Sequence, residues 1–367
     1  MTPDLPPPHV EIHGDFRLQA DTEAGADLRL RAHPEFHAGQ ELHVHAIGDL
    51  RATTAGPDLV GVPVAAWGIA ETPIGEITAG RLPIPLWGLG LVANPGGCLN
   101  CVSDFTVDRV SFATEVLGHV IGVAGDLDSE QIVTGTLSIA RLPTDLQRVR
   151  FLDADKSIWG YGVWSTWRTR SRDGLAIGLA DGWIRYELGD FRIEGEGVFA
   201  GGRIQRPESG DPNLLLPAIY VQQGGGALQA ELSFVGLQGG FASGDVAPGR
   251  GGVDGTDQVD PPNDTAWTNF TISDNYFIDR LQWRRRIGRI TDVAWVRPAL
   301  TVAPVEGLKL QAWFTASTPI VRTDEPLSPE VGGTVEWHAW KGFQLRSDVG
   351  YLVGDGAFLQ GYLAWVY

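Results

Sequence analysis

No stretch of this sequence stays apolar for long enough to form a membrane-spanning helix. Such a helix needs about 20 apolar residues in a row, and each apolar stretch here is interrupted sooner by Arg, Asp, Glu, His or a Gly-Pro break. A helical membrane protein is therefore excluded. Methionine and cysteine are also scarce, with one and two residues, whereas there are 48 glycines and 13 tryptophans. The remaining way to cross a bilayer is a closed sheet, whose strands need only about 10 residues each.

Positive charge is also scarce. The chain has 28 Lys and Arg against 45 Asp and Glu, which gives a net charge of −17 and an isoelectric point near 4.8. This balance argues against binding to a phosphate backbone, so no nucleic-acid partner is predicted. The first ten residues lack the basic and apolar regions of a secretion signal. We therefore expect a mature chain with an added methionine.

The last eleven residues alternate between two faces. Leu359, Leu363, Trp365 and Tyr367 fall on one face, and Gln360 falls on the other. Alternation at period two indicates a strand that is buried on one side only. The terminal aromatic residue resembles the C-terminal strand by which the bacterial barrel-assembly machinery recognises its substrates, so that machinery is an expected partner. An edge strand of a soluble sandwich has a similar pattern.

The same alternation recurs along the chain, and loop order decides between a sandwich and a membrane barrel. About 18 strands can be assigned, and 16 remains possible because residues 126–190 are ambiguous. With both ends of the chain on the inner side, the long connections all fall outside and the inner ones are short, apart from residues 143–156. Such asymmetry is typical of outer-membrane barrels. The predicted fold is therefore an all-β transmembrane antiparallel barrel.

This topology predicts one domain. Residues 1–9 form a periplasmic tail, and residues 10–367 form the barrel, with both termini periplasmic in a bacterial outer membrane. Outer-membrane lipid and lipopolysaccharide are then expected to surround it. The long outer loops are predicted at residues 83–106, 204–224 and 247–289, with further ones near 51–61 and 318–329.

The charged residues of the alternating strands are predicted to face the lumen, because charged side chains are costly on the lipid face. This placement is forced by the bilayer, so a solvated wall of ion pairs is one interpretation. The other is a selectivity lining for a polar solute. The predicted pore-lining residues are Glu11, Asp15, Arg17, Asp27, Arg29, Arg31, Arg81, Arg109, Arg192, Glu194, Glu196, Glu231, Glu336, Arg346 and Asp348.

A group of arginines follows the longest predicted outer loop. It consists of Arg280, Arg284, Arg285, Arg286 and Arg289. The segment is expected to form a short helix that enters the pore. Its arginines could bind an anionic polymer or sugar acid through paired hydrogen bonds, or they could neutralise the acidic loop that precedes them.

The two cysteines, Cys98 and Cys101, lie on the first long outer loop. A zinc site needs about four ligands, and no second cysteine pair or histidine pair lies nearby in the sequence. In an oxidising compartment the pair is expected to form a small disulfide loop.

No catalytic motif is present, so neither an enzyme nor a cofactor is predicted. The sequence lacks a G-x-S-x-G elbow, an H-E-x-x-H helix and a phosphate-binding loop. One histidine group, His13, His43 and His45, falls on inward positions of the first and third strands. Such histidines are more often ordinary lumen residues than metal ligands, and no metal is predicted.

Three stretches together resemble an uncharacterised family of outer-membrane barrels from myxobacteria and related deltaproteobacteria. They are HGDFRLQAD at residues 13–21, GRLPIPLWGLGLVANPGGCLNCVSDFTVDRVSF at 80–112 and WIRYELGDFRIEGEGV at 183–198. The chain is more distantly similar in architecture to the alginate export porins, which are 18-stranded barrels with charged lumens. The scarce lysines and acidic loops depart from that second family.

The function that these features favour is a channel of the porin type for small hydrophilic solutes or sugar acids. Conduction would be set by the charged wall and by loops 83–106 and 247–289 folding inward. The alternative is a structural barrel of an outer-membrane motility or secretion complex, and a third possibility is a plugged barrel that serves adhesion.

Overall fold

A computed structural model of the chain describes most of its length. The described residues are 8–21, 25–39, 41–53, 56–95, 105–128, 132–141, 159–171, 173–205, 218–246, 265–322, 329–340, 343–353 and 356–366. The described part of the chain contains no helix with the length and apolar character that a membrane crossing requires.

The structure is a single sheet of long antiparallel strands, to which one two-residue strand is added. In chain order the strands are β1 (His9–Asp21), β2 (Gly25–Ala38), β3 (Leu42–Thr53), β4 (Gly56–Thr72), β5 (Gly75–Pro83), β6 (Thr106–Val116), β7 (His119–Leu127), β8 (Val133–Arg141), β9 (Trp159–Arg170), β10 (Leu175–Leu188), β11 (Phe191–Ile204), β12 (Ile219–Leu232), β13 (Val235–Ala242), β14 (Ala266–Trp267), β15 (Val293–Val305), β16 (Leu308–Pro319), β17 (Glu330–Trp340), β18 (Phe343–Leu352) and β19 (Gly356–Val366).

The sheet closes on itself. Each long strand pairs with the next one in the sequence, β13 pairs with β15, and β1 pairs with β19 over the register Asp15↔Val366 to Asp21↔Gln360. The two-residue strand β14 adds a parallel pairing to β12 and stands outside this ring. The ring therefore contains 18 antiparallel strands. The predicted all-β barrel of about 18 strands is confirmed.

The two faces of the sheet differ in polarity because side chains alternate along each strand. The outer face is apolar and exposed over the middle of the barrel. Its residues include Val123, Leu137, Val163, Ile184, Phe199, Leu228, Leu237, Leu300, Phe314, Val335 and Val349. The inner face carries ion pairs such as Arg31–Asp49 and Arg109–Asp126, and it contacts chain segments that enter the lumen.

Aromatic side chains mark both ends of the outer face. On β9, Trp159 and Trp167 are both about half exposed, at 46% and 58%. Trp167 is eight positions after Trp159, or about 27 Å further along the strand. The ring of Trp159 contacts that of Tyr186 at 4.5 Å between centroids. Two aromatic bands with an apolar zone between them are typical of a barrel in a bilayer.

The connections at the two ends of the barrel differ in length. At the end where β1 begins and β19 finishes, called here the short-turn end, connections span about two or three residues, except for 142–158. The opposite end carries 84–105, 205–218, 243–292 and 320–329. The prediction of a long loop at 51–61 was wrong. The strands β3 and β4 stay paired as far as Thr53↔Gly56, so only two residues connect the two strands.

Candidate solute pathway in the barrel lumen

Arginine–carboxylate pairs line much of the described lumen wall. Arg31 makes two parallel hydrogen bonds to Asp49, at 2.7 Å and 2.8 Å, and Arg51 reaches the same carboxylate at 2.7 Å. Arg109 binds Asp126 in the same two-fold manner, at 2.6 Å and 2.8 Å. Pairing of this geometry fixes both side chains. The wall therefore presents ordered ion pairs to the lumen.

Most of the predicted pore-lining residues lie on this inner face. Register places them opposite one another across neighbouring strands, as in Arg31↔Asp49 and Arg109↔Asp126. The residues with described side chains on this face are Glu11, Arg29, Arg31, Arg109, Arg192, Glu194, Glu196, Glu231, Glu336, Arg346 and Asp348. The side chains of Asp15, Arg17 and Asp27 lie outside the described residues.

Arg81 lies on the other face. It is opposite Asp108 in the register, and it binds that carboxylate at 2.8 Å and 2.9 Å. Asp108 shares its strand face with the outward residue Val110, whereas Arg109 points inward. Arg81 and Asp108 are also half exposed, at 54% and 51%. The geometry therefore places Arg81 on the outer rim and corrects its predicted place in the pore, because Leu82 occupies the inward position here.

The first inward segment, residues 84–95, is held by Glu196 of β11. The Glu196 carboxylate accepts hydrogen bonds from the backbone N–H groups of Gly90 at 3.0 Å and Leu91 at 3.1 Å. Gly88 has a φ of +54°, and a Cβ there would lie 2.5 Å from the Glu196 carboxylate. Both the turn and the close approach therefore require glycine. Leu91 is fully buried in the apolar cluster described next.

The second inward segment, residues 265–292, packs against one side of the wall. Its apolar side chains form one cluster with wall residues of β11, β12, β13 and β15. The cluster comprises Leu91, Val198, Ala227, Ala242, Phe270, Ile272, Tyr276, Ile278, Trp283, Ile290, Val293 and Trp295. Burial raises the pKa of the Tyr276 hydroxyl, which stays neutral and accepts a hydrogen bond from Gln238 at 2.5 Å.

Carboxylates fix this second segment as well. Glu330 of β17 accepts hydrogen bonds from the backbone N–H groups of Arg280 at 2.9 Å and Leu281 at 3.0 Å. The guanidinium of Arg280 lies 3.1 Å from the fully buried carboxylate of Asp348. Asp279 accepts a hydrogen bond from the N–H of Trp283 at 2.8 Å. The segment is therefore fastened to the wall by polar contacts in addition to apolar packing.

The predicted arginine cluster is divided by this arrangement. Arg280 is buried in the lumen, and its guanidinium also lies 4.1 Å above the ring of Phe277. Residues Gln282–Ile287 form one π-helical turn, as expected for a short helical element inside the pore. The side chains of residues 284–286 lie outside the described residues, and Arg289 is half-buried just after the turn.

The inward segments leave open space beside the opposite wall. One cavity, of about 550 Å³, is lined by four tryptophans, Trp67, Trp87, Trp164 and Trp183, together with Arg109. A second, of about 480 Å³, shares part of this lining and adds Asp126 and Arg168. Aromatic faces and guanidinium groups together suit solutes that combine polar groups with an apolar face.

Sequence reasoning missed several residues of the pathway. Asp49 and Asp126 stand on inward positions of alternating strands, so the pattern that identified their arginine partners could have found them. Glu330 and Asp181 gave no such signal. Glu330 follows a predicted loop, and Asp181 lies fully buried opposite Trp164 within an ambiguous stretch. The predicted disulfide of Cys98 and Cys101 lies outside the described residues.

No known protein family and no curated protein matches this sequence. Solved structures are similar in fold. Pseudomonas aeruginosa OccK5 (OpdH) has a TM-score of 0.62 at 9% identity, with 99% of this chain and 98% of that chain covered. P. aeruginosa OccK2 (OpdF), solved in complex with glucuronate, has a TM-score of 0.55 at 10% identity, with 98% and 97% covered.

A third similar structure is P. aeruginosa OpdK with vanillate, which has a TM-score of 0.55 at 10% identity, with 98% of each chain covered. At such low identity, these likenesses establish the architecture alone. The chain thus has the fold of an outer-membrane porin, and its lumen is narrowed by two inward segments.

Proposed function

We propose that the protein is an outer-membrane channel that passes small hydrophilic solutes, sugar acids among them. The observation that carries this proposal is the form of the lumen. Residues 84–95 and 265–292 are fastened to one wall by Glu196 and Glu330, and they leave an aromatic cavity with arginines beside it. A fixed constriction next to a cavity with such a lining is typical of selective passage, whereas a plug would close the lumen.

The chemistry of the cavity supports a solute with an anionic or hydroxylated group. A cavity of about 550 Å³ lies within the usual range for small-molecule sites, about 300–1,000 Å³. Arg109 is held rigidly by Asp126, so it can donate hydrogen bonds to a passing carboxylate without losing its own order. The glucuronate and vanillate complexes of the similar structures are consistent with this solute class.

The same proposal gives the orientation. The short-turn end, with both ends of the chain, faces the periplasm, and the long connections face outward, as in other barrels of this type. Lipid and lipopolysaccharide surround the apolar face, and the assembly machinery inserts the chain by its last strand. Four further points remain predictions. They are the myxobacterial resemblance, the distant alginate-porin resemblance, the disulfide of Cys98 and Cys101, and the two roles considered for the arginine cluster.

A liposome-swelling assay tests the proposal. The protein is reconstituted into vesicles, which are diluted into isotonic solutions of sugars of increasing size and of sodium glucuronate. Rapid swelling in small sugars that falls off steeply with size, together with entry of glucuronate, is the expected result. A folded barrel that admits no solute contradicts the channel and favours a structural role.

A further inference from the structure

A cluster of histidines and glutamates lies on the inner face of β1–β4, at the short-turn end. The chain has eight histidines, and six of them lie here: His9, His13, His33, His37, His43 and His45. Strand register sets them opposite each other or opposite a glutamate, as in His13↔His33, His37↔His43 and Glu35↔His45. Since the pairing of long strands fixes this register, the imidazoles are brought together by the barrel itself.

The most buried group in the cluster is formed by His33, Glu35 and His45. One ligand atom of each lies within 4.8 Å of the other two. Oε1 of Glu35 lies 3.4 Å from Nδ1 of His45 and 3.6 Å from Nε2 of His33. Both separations exceed the usual upper limit of a hydrogen bond, about 3.2 Å. They are close to the distance of about 3.3–3.4 Å between neighbouring ligand atoms around a tetrahedral Zn²⁺ with bonds of about 2.0–2.1 Å.

The surroundings hold these ligands in place. The indole of Trp67 stacks on the His45 ring, with 4.8 Å between centroids and 6° between planes, and its centroid lies 5.6 Å from that of His33. Arg31, two residues before His33, is bound to Asp49 by two hydrogen bonds, which keep its charge away from Glu35. Ligands whose orientation is already fixed bind a metal with less loss of freedom.

An ion can reach this group from the lumen. The side chains of Glu35 and His45 are only 11% and 6% exposed, whereas the His33 side chain is 26% exposed with its Nε2 buried, so an ion enters past this ring. A neighbouring group at the rim consists of His9, Glu11 and His37, in which the rings of His9 and His37 stack at 4.7 Å. The cluster is therefore continuous from the rim to the buried group.

We propose that His33, Glu35 and His45 bind a divalent transition-metal ion, with the fourth position left to water or to a donor group of a solute. Two imidazoles and one carboxylate favour ions such as Zn²⁺, Co²⁺, Ni²⁺ and Cu²⁺ over Ca²⁺ or Mg²⁺, which prefer oxygen ligands. The site goes beyond the proposed channel, since binding of the ion does not require conduction.

Titration of the full chain in detergent with Zn²⁺ and with Co²⁺ tests this site. Calorimetry with Zn²⁺ gives the affinity, and the visible absorption of Co²⁺ reports tetrahedral nitrogen and oxygen ligation. We expect saturable binding with the intense bands of a tetrahedral ion. His45→Ala removes a direct ligand, and Glu35→Gln replaces a charged oxygen ligand by a weaker neutral one. Each variant, made alone, should therefore weaken binding by about 100-fold or more.

Two controls locate the site within the cluster. His338→Ala changes a half-exposed histidine on β17 that contacts Glu336 instead, so it should leave the affinity unchanged. His9→Ala removes a ligand of the rim group only and should also leave the strongest site intact. Each variant is checked for folding by its heat-modifiable migration on a gel.

The proposal is overturned if the folded protein binds neither ion, or if it binds Ca²⁺ as tightly as Zn²⁺. It is also overturned if His9→Ala abolishes binding while Glu35→Gln and His33→Ala do not. Because three separate ligand variants are available, failure of one to fold still leaves the others to decide. Loss of channel activity does not affect any of these readouts.

Discussion

The replacement Glu330→Gln tests whether a wall carboxylate holds the second inward segment in place. In the native chain, the two oxygens of Glu330 accept hydrogen bonds from the backbone N–H groups of Arg280 and Leu281. The glutamine side chain has almost the same shape, but one oxygen becomes an NH₂ group that cannot accept. One charge-assisted bond is therefore lost, and the other becomes a neutral bond.

The size of the effect follows from those two bonds. A hydrogen bond to a charged group contributes about 1.5–3 kcal/mol, and a neutral one contributes about 0.5–1.5 kcal/mol. Losing the first and weakening the second lowers the free energy of local opening by about 2–4 kcal/mol. Since about 1.4 kcal/mol corresponds to a factor of ten, amide exchange in residues 278–283 should accelerate by about 30- to 1,000-fold.

Hydrogen exchange followed by mass spectrometry, with the protein in detergent, measures this change. Glu336→Gln is the matched control, because it lies on the same strand and face as Glu330 but contacts the side chains of Gln344 and Arg346. Exchange in residues 278–283 should remain at the native rate in that variant. Unchanged exchange in Glu330→Gln, or an equal acceleration in the control, would refute the tether.

Three further predictions concern the wall. Asp126→Asn should leave Arg109, on the inner face, without its carboxylate partner and shift the reversal potential in a salt gradient toward anion selectivity. Asp108→Asn, on the outer face, should leave the reversal potential unchanged. Gly332→Ala would place a Cβ 2.2 Å from the indole ring of Trp313, so the barrel should unfold at a lower temperature, as read from its migration on a gel after heating. Gly236→Ala, whose Cβ would have nothing closer than 3.8 Å, should leave this temperature unchanged. Leu137→Arg puts a charge on the lipid face and should destabilise the barrel by about 2–4 kcal/mol in urea unfolding, clearly more than Leu137→Ala.

The fold could be predicted from the sequence because its determinants are local. Alternation at period two shows in each strand by itself, and the difference in loop length between the two ends follows from chain order. The extent of a strand is not local. A long loop was predicted near residues 51–61, yet β3 and β4 pair up to Arg51↔Val60 and again at Thr53↔Gly56, and this cross-strand pairing has no signal in the sequence of either strand alone.

The lumen could be predicted only in part. Arg109 was identified as inward from its own strand. Arg81 was assigned inward from its charge, although it alternates with the buried Thr78 and shares the outward face of β5 with Ile77. Glu196 was expected to line the pore, and its actual contacts are with backbone amides more than 100 residues away in the sequence. Contacts of this kind arise from tertiary packing, for which a single sequence carries no periodic signal.

Single-channel recording in planar bilayers tests the central claim most directly. The reconstituted wild-type barrel, shown to be folded by its heat-modifiable migration, should give steady, ohmic open currents. The Glu330→Gln channel should show a larger or noisier current, because the second segment no longer lies firmly against the wall. A folded barrel that never conducts would contradict the account of a channel narrowed by those segments. So would a Glu330→Gln channel whose current equals that of the wild type in size and noise.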